Sequence, residues 1–419
     1  MKKLDKILNK INYLWIIAIF TYIFVGSLSL LYGKMTLVQY ADLFYKFNAA
    51  TLVLCVLNYL FKRKFCLVDI FIFGLIVVAC LSTHFSEFKN ISLWGHDTRC
   101  EGMVMFLDYY LLFILSTFVQ RKDKKKVIAV ILFFGILQVG IGLLQQFKII
   151  PGAAYMYVRG LVGNSNFYST QNIMWLSLSL GLFIFGKKWY YLILVFIFTV
   201  GLSLGGAMSC IVGLVCVLLG ILAILLYRRK EFVIKEYLKR YFFSILFMGV
   251  IFLIVSSLID SSLIKDIKEM LFQSSDMIVH HNVQENYGTN RIFIWKNTIP
   301  KIKDYFWLGI GIDCFRYIFT PLLISDHAIV SKAHNEYLQL LITEGIGCLV
   351  FYLLLLFGCI RDNVKRMRTD NYGVLDYAIL LCVIGYITQA FFNISVIRVA
   401  PIFYVILGLC HQRKNLNSD

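Results

Sequence analysis

Charged residues are scarce in this sequence, and two common patterns are missing from it. Asp, Glu, Lys and Arg make up only 16% of the 419 residues, whereas hydrophobic residues make up 59% and the mean hydropathy is +0.75. Water-soluble domains usually contain about 45–50% apolar residues, so this composition excludes that class. The 11 cysteines form no C-x-x-C pair, which excludes the common zinc and redox motifs. No internal repeat is visible, so the inverted-repeat architecture of many transporters gains no support.

Long apolar runs take the place of charge. They cover residues 14–31, 49–61, 67–83, 103–119, 127–147, 167–185, 189–204, 207–227, 241–258, 338–360, 374–392 and 401–410. Most approach the roughly 20 residues that a spanning helix needs, and continuous runs favour helices over barrel strands. The sequence therefore predicts an all-α integral membrane protein with about 12 transmembrane helices. The first run lacks a small-residue cleavage site, so we expect a signal anchor.

The net charge of +17 follows the order of these runs. Most of the Lys and Arg residues cluster in every second connection, at residues 2–10, 62–64, 121–126, 187–188, 228–240, 361–368 and 413–414. The positive-inside rule then places these connections and both termini in the cytoplasm of a multi-pass plasma-membrane protein. Basic charge is thus a topology signal, and we expect membrane lipids but no nucleic acid as partners.

One large extracytoplasmic loop is predicted between helices 9 and 10. The chain then divides into residues 1–258 with helices 1–9, residues 259–335 as the loop, and residues 336–419 with helices 10–12. The loop should begin with an amphipathic helix on the membrane surface, because apolar residues recur there at helical spacing. These residues are Leu263, Ile264, Ile267, Met270 and Leu271. A second helix should start near Thr289 and Asn290, which can cap it.

The predicted outer side holds most of the histidines and several arginines. They are His84, His96, His280, His281, His327 and His334, and Arg99, Arg159, Arg291, Arg316 and Arg398. A guanidinium binds phosphate oxygens in a bidentate manner, and the natural anion at this surface is the phosphate or pyrophosphate of a lipid carrier. Interfacial snorkelling, or ion pairing with Asp97, Glu101 or Asp313, is the competing explanation. A disulfide between Cys100 and Cys314 is also open.

Four motifs occur in a fixed order along these outer segments. They are Arg159-Gly160 with Gly163-Asn164-x-Asn166, Arg291-x-x-x-Trp295, Trp307-Leu308-Gly309-x-Gly311, and Ala333-His334-Asn335-Glu336-Tyr337-x-Gln339 followed by Gly345. In this combination the sequence resembles the O-antigen ligase and O-antigen polymerase superfamily, which are polytopic membrane glycosyltransferases that use lipid-linked oligosaccharides. The histidine segment is the most specific part of the resemblance.

The resemblance implies a reaction outside the cytoplasm, in cell-surface polysaccharide assembly. A glycan on undecaprenyl pyrophosphate would be transferred to the hydroxyl of a glycan or lipid-glycan acceptor. His334 would act as general base on the acceptor hydroxyl or would orient that hydroxyl, and Arg291 would stabilise the leaving pyrophosphate. The candidate substrate-binding residues are Arg159, Arg99, Asn164, Asn166, Glu336 and Tyr337. No cofactor or metal is expected, and the outer loops carry no Asp-x-Asp pair.

The sequence departs from the family at one place. Ligases of this family commonly carry an arginine at the outer end of the pair of spans around position 205, where this chain has Gly205. Arg99 and Arg398 are candidates to replace it. The sequence does not separate a ligase from a polymerase. A polytopic transporter or lipid-glycan flippase is the alternative function, and a flippase would tolerate the loss of His334.

Overall fold

The structure is a computed structural model, and it describes residues 2–62, 65–151, 157–229, 233–259, 263–319, 330–367, 369, 372–411 and 413. Its α-helices are α1 Lys2–Leu31, α2 Leu37–Lys62, α3 Leu67–Phe85, α4 Lys89–Trp94, α5 Met103–Thr117, α6 Arg121–Gln146, α7 Ser165–Gly186, α8 Leu192–Gly205, α9 Met208–Tyr227, α10 Ile234–Leu258, α11 Leu263–Val279, α12 Tyr287–Thr298, α13 Ile302–Tyr305, α14 Arg316–Phe319, α15 Glu336–Arg366, α16 Val374–Gln389 and α17 Ala400–Cys410. His327, Arg63, Lys64, Lys230, Arg368 and Lys414, which entered the predictions above, lie outside the described residues.

The helices confirm the all-α membrane class. Within the described residues, eight are long and apolar enough to cross a membrane: α1, α2, α3, α6, α9, α10, α15 and α16. Three shorter apolar helical stretches correspond to α5, α8 with the turn before it, and α17. Each of the twelve apolar runs coincides largely with one helix. The count of twelve spans and the sidedness of the termini stay predictions.

The core of the bundle lies where α7 packs on α16 and α5 packs on α17. Residues 167–185 of α7 and all of α17 are buried. Small residues allow this close approach: a Cβ on Gly181 would lie 2.5 Å from the Cα of Ala378, and one on Gly408 would lie 2.5 Å from the carbonyl oxygen of Phe113. These helices form the scaffold on which the outer segments rest.

Basic residues gather at one end of the bundle around two buried carboxylates. Asp376, in the first turn of α16, lies 3.6 Å from Arg121 and 3.8 Å from Arg366. Asp69, in the first turn of α3, pairs with Arg413. The connections predicted to be cytoplasmic thus share one end of the bundle.

The helix α15 is broken by Gly345, which has φ 84° and ψ 175°. Residues 306–311, which form a turn and the residues that follow it, cross this break and supply hydrogen bonds that the helix lacks. The amide of Ile310 donates to the carbonyl of Ile342 at 3.0 Å, and Gly311 donates to Thr343 at 2.9 Å. In return, Ile346 donates to the carbonyl of Phe306 at 2.8 Å. Three backbone hydrogen bonds therefore join the break to a segment that precedes it in the chain.

This crossing explains Gly309 of the third motif and Gly345, which follows the fourth motif. A Cβ on Gly309 would lie 2.2 Å from the carbonyl carbon of Thr343, and one on Gly345 would lie 2.1 Å from the carbonyl oxygen of Trp307. Both glycines also have positive φ, which L-residues with a Cβ rarely adopt. A glycine stands at each of these two positions because two backbone segments are in direct contact there.

Two helices occupy the region predicted as the large outer loop. The amphipathic helix expected from residue 263 onwards is α11. The second helix, α12, starts at Tyr287, and neither Thr289 nor Asn290 caps it. Both residues take left-handed conformations inside its first turn, at φ 60° and 65°, so the expected cap is wrong.

Candidate active site

The side-chain amides of Asn335 and Gln339, two residues of the same motif, hold the histidine segment in place. The side-chain oxygen of Asn335 caps α15 by accepting a hydrogen bond from the amide of Leu338 at 3.0 Å. The side-chain oxygen of Gln339 accepts one from the amide of Ala333 at 2.7 Å. Between them His334 takes the left-handed conformation, with φ 49°. This strained geometry is typical of functional positions.

The His334 imidazole is half-buried and makes no hydrogen bond to any described residue. Trp295 supports the segment from α12 by donating from its indole nitrogen to the carbonyl of Ala333 at 2.9 Å. Burial, together with the positive charges of Arg291, Arg99 and Lys332, lowers the pKa of His334 to about 4. The ring is therefore neutral at pH 7 and has a free lone pair.

Arg291 faces the same space from α12. Its Nε donates to the carbonyl of Phe392 at 2.9 Å, and its Nη1 donates to the carbonyl of Gly288 at 2.8 Å. Two backbone carbonyls thus fix the guanidinium plane. The Nη2 group makes no hydrogen bond within the described part of the chain. Burial lowers the pKa of Arg291, but a guanidinium stays protonated in proteins.

Lys332 is a component of this site that the sequence reasoning missed. Its Nζ lies 3.0 Å from Asp313 and 3.3 Å from Glu101, and all three side chains are buried. Burial alone would lower the pKa of Lys332, but the two carboxylates raise it above its ordinary value. The sequence signal was a lysine among few outer basic residues, two positions before His334.

Arg99 joins the same group of outer segments. Its Nη2 donates to the hydroxyl of Ser331 at 3.1 Å, three positions before His334. The structure thus brings together His334, Arg291 and Arg99, which the sequence placed in three separate motifs. Their shared positive field is visible in the lowered pKa of the histidine.

Glu336 and Tyr337 turn towards the interior of the bundle. The carboxylate of Glu336 accepts hydrogen bonds from the hydroxyls of Tyr352 at 2.6 Å and Tyr386 at 2.9 Å. The hydroxyl of Tyr337 donates to the carbonyl of Ile387 at 2.7 Å. Both side chains therefore have partners inside the protein, and their contact with substrate stays a prediction.

A small cavity lies beneath the histidine segment. It measures about 20 Å³, room for roughly one water molecule. Its polar lining is Glu101, Asp313, Lys332, Glu336, Gln339, Thr343, Glu344 and Ser395. The Nε2 of Gln339 is buried and has no partner in the described residues, so a water there would satisfy it.

The Arg159 motif forms a tight turn before α7. Asn164 caps α7, since its side-chain oxygen accepts from the amide of Asn166 at 2.8 Å. Arg159 itself is exposed. Arg398 reaches this turn from the segment before α17, where its Nη1 donates to the carbonyl of Leu161 at 2.6 Å. Its Nη2 would be 3.3 Å from a Cβ on Gly163, so Arg398 lies against the same turn.

Gly205 leaves no room for the arginine expected near this position. A Cβ there would lie 2.2 Å from the hydroxyl oxygen of Ser169 and 2.9 Å from the Tyr168 ring. The following Gly206 has φ 64° and is covered by the ring of Tyr157. Of the two candidate replacements, Arg398 lies in this part of the structure, beside the turn that leads into α7.

Two further expectations concern thiols and metals. Cys100 and Cys314 are both free and buried, so the disulfide considered above is absent. Among the residues that the structure describes, no group of three or more His, Cys, Asp or Glu side chains is arranged to hold a metal ion. Metal independence stays a prediction.

Fold and site together define a polytopic membrane protein with a cationic, histidine-bearing site at one end of its bundle. Residues 189–353 match the family model Wzy_C, described as O-antigen ligase. The matched segment contains Arg291 and His334. The match confirms the resemblance to the O-antigen ligase superfamily and the assignment to polysaccharide biosynthesis at a membrane. No curated protein matches the chain.

Proposed function

We propose that this protein transfers a glycan from undecaprenyl pyrophosphate to an acceptor hydroxyl on the extracytoplasmic side of the plasma membrane. The observation that carries the proposal is the half-buried His334 imidazole, which makes no hydrogen bond to any residue that the structure describes and is close enough to Arg291 and Arg99 for their charges to lower its pKa. A base next to fixed cations suits a reaction in which a hydroxyl attacks and a pyrophosphate leaves. The reaction would be metal-independent.

The bond changes follow from that arrangement. His334 takes the proton of the acceptor hydroxyl while its oxygen attacks the anomeric carbon. The bond from that carbon to the pyrophosphate oxygen breaks, and the lipid pyrophosphate leaves with the electron pair. Arg291 stabilises the charge on the leaving group, with Arg99 and Arg159 holding the donor. General base catalysis typically contributes about 10²–10⁴-fold. Direct attack predicts inversion at the anomeric carbon.

The low pKa of His334 has a further meaning in this mechanism. A base with a pKa of about 4 is weak in the empty site. A bound pyrophosphate offsets the positive field of the arginines, so the pKa of the imidazole rises towards its ordinary range. The donor would thus strengthen the base that is needed for its own reaction.

The alternative is a polytopic transporter or lipid-glycan flippase. Its support is the group of ionisable residues inside the bundle, such as Glu344 and Glu336, since intramembrane carboxylates commonly mark transport pathways. Both carboxylates, however, line the cavity beneath the histidine segment. Their position favours a role at the His334 site.

The test is reconstitution in liposomes with a lipid-linked glycan repeat in metal-free buffer. Wild type and His334→Ala are compared, and products are resolved by size. His280→Ala is the matched control, because His280 is an exposed histidine of the same outer region. A product ladder from wild type and the control alone supports a polymerase. Donor consumption only with added acceptor supports a ligase. Glycan crossing the bilayer equally in all three proteins, without product, would establish transport.

A further inference from the structure

The helix α11 exposes apolar side chains along one side. Leu271 is 60% exposed, Phe272 65%, Ile278 74% and Val279 64%. At a spacing of seven residues these side chains form two adjacent stripes, Leu271 with Ile278 and Phe272 with Val279. Exposed apolar patches of this kind mark contacts with a partner or a membrane.

Polar side chains at other positions of α11 tie the helix to the rest of the protein. The side-chain oxygen of Gln273 accepts from the amide of Gly288 at 3.0 Å, and the carboxylate of Asp276 accepts from the hydroxyl of Tyr287 at 2.6 Å. Near the start of the helix, the hydroxyl of Tyr157 donates to Asp266. These contacts hold α11 with its apolar stripes facing outwards.

The chemistry around the stripes fits a phospholipid surface. The preceding helix α10 ends with exposed apolar residues, Leu253, Ile254 and Leu258, on its lipid-facing surface. Lys265 and Lys268 are exposed on α11 beside the stripes and complement anionic headgroups. We infer that α11 lies in the headgroup layer of the outer leaflet, with Leu271, Phe272, Ile278 and Val279 inserted among phospholipids.

The position of α11 affects the position of Arg291 through a strained turn. Gly288, Thr289 and Asn290 have φ between 60° and 65°, and a β-branched threonine rarely adopts that region. Such a turn persists only where its surroundings hold it, and Gln273 of α11 does so through Gly288. Arg291 in turn donates to the carbonyl of Gly288. The depth of α11 in the membrane thus sets the position of Arg291, a consequence that rests on the proposed function.

Lipid contact is tested on the full-length protein, without an activity assay. The protein is placed singly in nanodiscs that contain a phospholipid with a diazirine near its headgroup. After irradiation, adducts are located by mass spectrometry. Adducts on Leu271, Phe272, Ile278 and Val279, absent from Gln273 and Asp276, are expected. Adducts on Leu253 and Ile254 of α10 without any on α11 would overturn the inference.

The link to Arg291 is tested by activity in liposomes. Phe272→Asp/Ile278→Asp removes the apolar contact, whereas the control Gln284→Asp adds one charge to an exposed polar position beyond the end of α11. The double variant should lower kcat/KM for the lipid-linked donor by about tenfold to a hundredfold, since a shift of about 1 Å at a catalytic group has that effect. The control should stay near wild type. Lipid adducts on α11 with unchanged kcat/KM in the double variant would overturn the link alone. A wild type that is inactive but shows the adducts would overturn the proposed function and leave the membrane contact standing.

Discussion

The ammonium of Lys332 lies 3.0 Å from the carboxylate of Asp313, and both side chains are buried. Glu101 lies on its other side at 3.3 Å. This buried pairing joins three outer segments, 95–102, 309–315 and 330–335, directly beneath His334. Ion pairs of this kind cost desolvation when formed, but they are costly to break, because the remaining charges lose their partner.

Replacing Lys332 by Met should therefore destabilise the protein strongly. Breaking a buried pair from one side typically costs about 3–5 kcal/mol, because Glu101 and Asp313 would be left buried together. Thermal unfolding in nanodiscs, followed by intrinsic fluorescence, measures the effect. Lys296→Met is the control, since Lys296 pairs with Glu285 at 2.7 Å on an exposed surface and should matter little. Equal losses in the two variants would contradict the buried role of Lys332.

The acid limb of the pH–rate profile should depend on whether the donor is bound. In the free enzyme the pKa of His334 is lowered to about 4, so kcat/KM should stay high well below the ordinary value of 6.5. The bound pyrophosphate should raise the pKa, so the acid limb of kcat should lie at higher pH than that of kcat/KM. Measuring kcat and kcat/KM between pH 4 and pH 8 tests this prediction. Two limbs that coincide near pH 6.5 would speak against a cationic environment for the histidine.

The same pKa predicts a loss of stability in acid. The unfolded chain binds a proton on His334 below about pH 6.5, whereas the folded protein binds it only near pH 4. Stability therefore falls as the pH is lowered from about 6.5 towards 4. In His334→Gln this part of the pH dependence should vanish, and unfolding curves of both proteins across that range measure the difference. An unchanged dependence would assign it to other groups.

Alanine at Gly309 or Gly345 should disrupt the crossing at the break of α15. Positive φ costs an L-residue about 1–2 kcal/mol, and overpacking typically adds about 1–3 kcal/mol. We expect a lower yield of monodisperse protein on size-exclusion chromatography. Gly140→Ala is the control, since a Cβ there meets nothing within 4 Å. A wild-type yield from Gly309→Ala would show that the crossing accommodates a side chain.

We expect that a lysine cannot take over the function of Arg398. The Arg398 guanidinium bonds to the carbonyl of Leu161 and still presents nitrogen towards Gly163, whereas an ammonium is a single point charge. We expect Arg398→Lys to raise KM for the lipid-linked donor more than it lowers kcat, as steady-state kinetics would measure. Adding Gly205→Arg to the Arg398→Lys variant should not restore its activity, because Ser169 and Tyr168 occupy the space beside Gly205. Full rescue by Gly205→Arg would refute this account.

Much of the architecture was readable in the sequence because hydropathy is a local signal. The twelve apolar runs each coincide with a helix, and the segment around His334 lies at the start of α15 as expected. Contacts between distant segments were not readable. Thr289 and Asn290 have the side chains of helix caps, but they lie in a left-handed turn whose first residue, Gly288, bonds to Gln273 of α11.

The same limit applies to the buried charges. No sequence pattern singled out Lys332, and only the folded chain places it between Glu101 and Asp313. Gly205 looked like a missing arginine, whereas the packing of Ser169 explains why a glycine stands there. Local patterns indicated which residues to consider, and tertiary contacts decided their surroundings.

The break in α15 also bears on how the chain is made. Residues 306–311 precede α15 in the chain, so they leave the ribosome first and are present before the final part of the bundle is inserted. When α15 enters the bilayer with Gly345 interrupting its hydrogen bonds, its pairing partner is already present. An unpaired backbone group in lipid costs several kcal/mol, so this order spares the translocation machinery an unstable intermediate. Biogenesis can thus proceed from the amino to the carboxyl terminus without waiting for later segments.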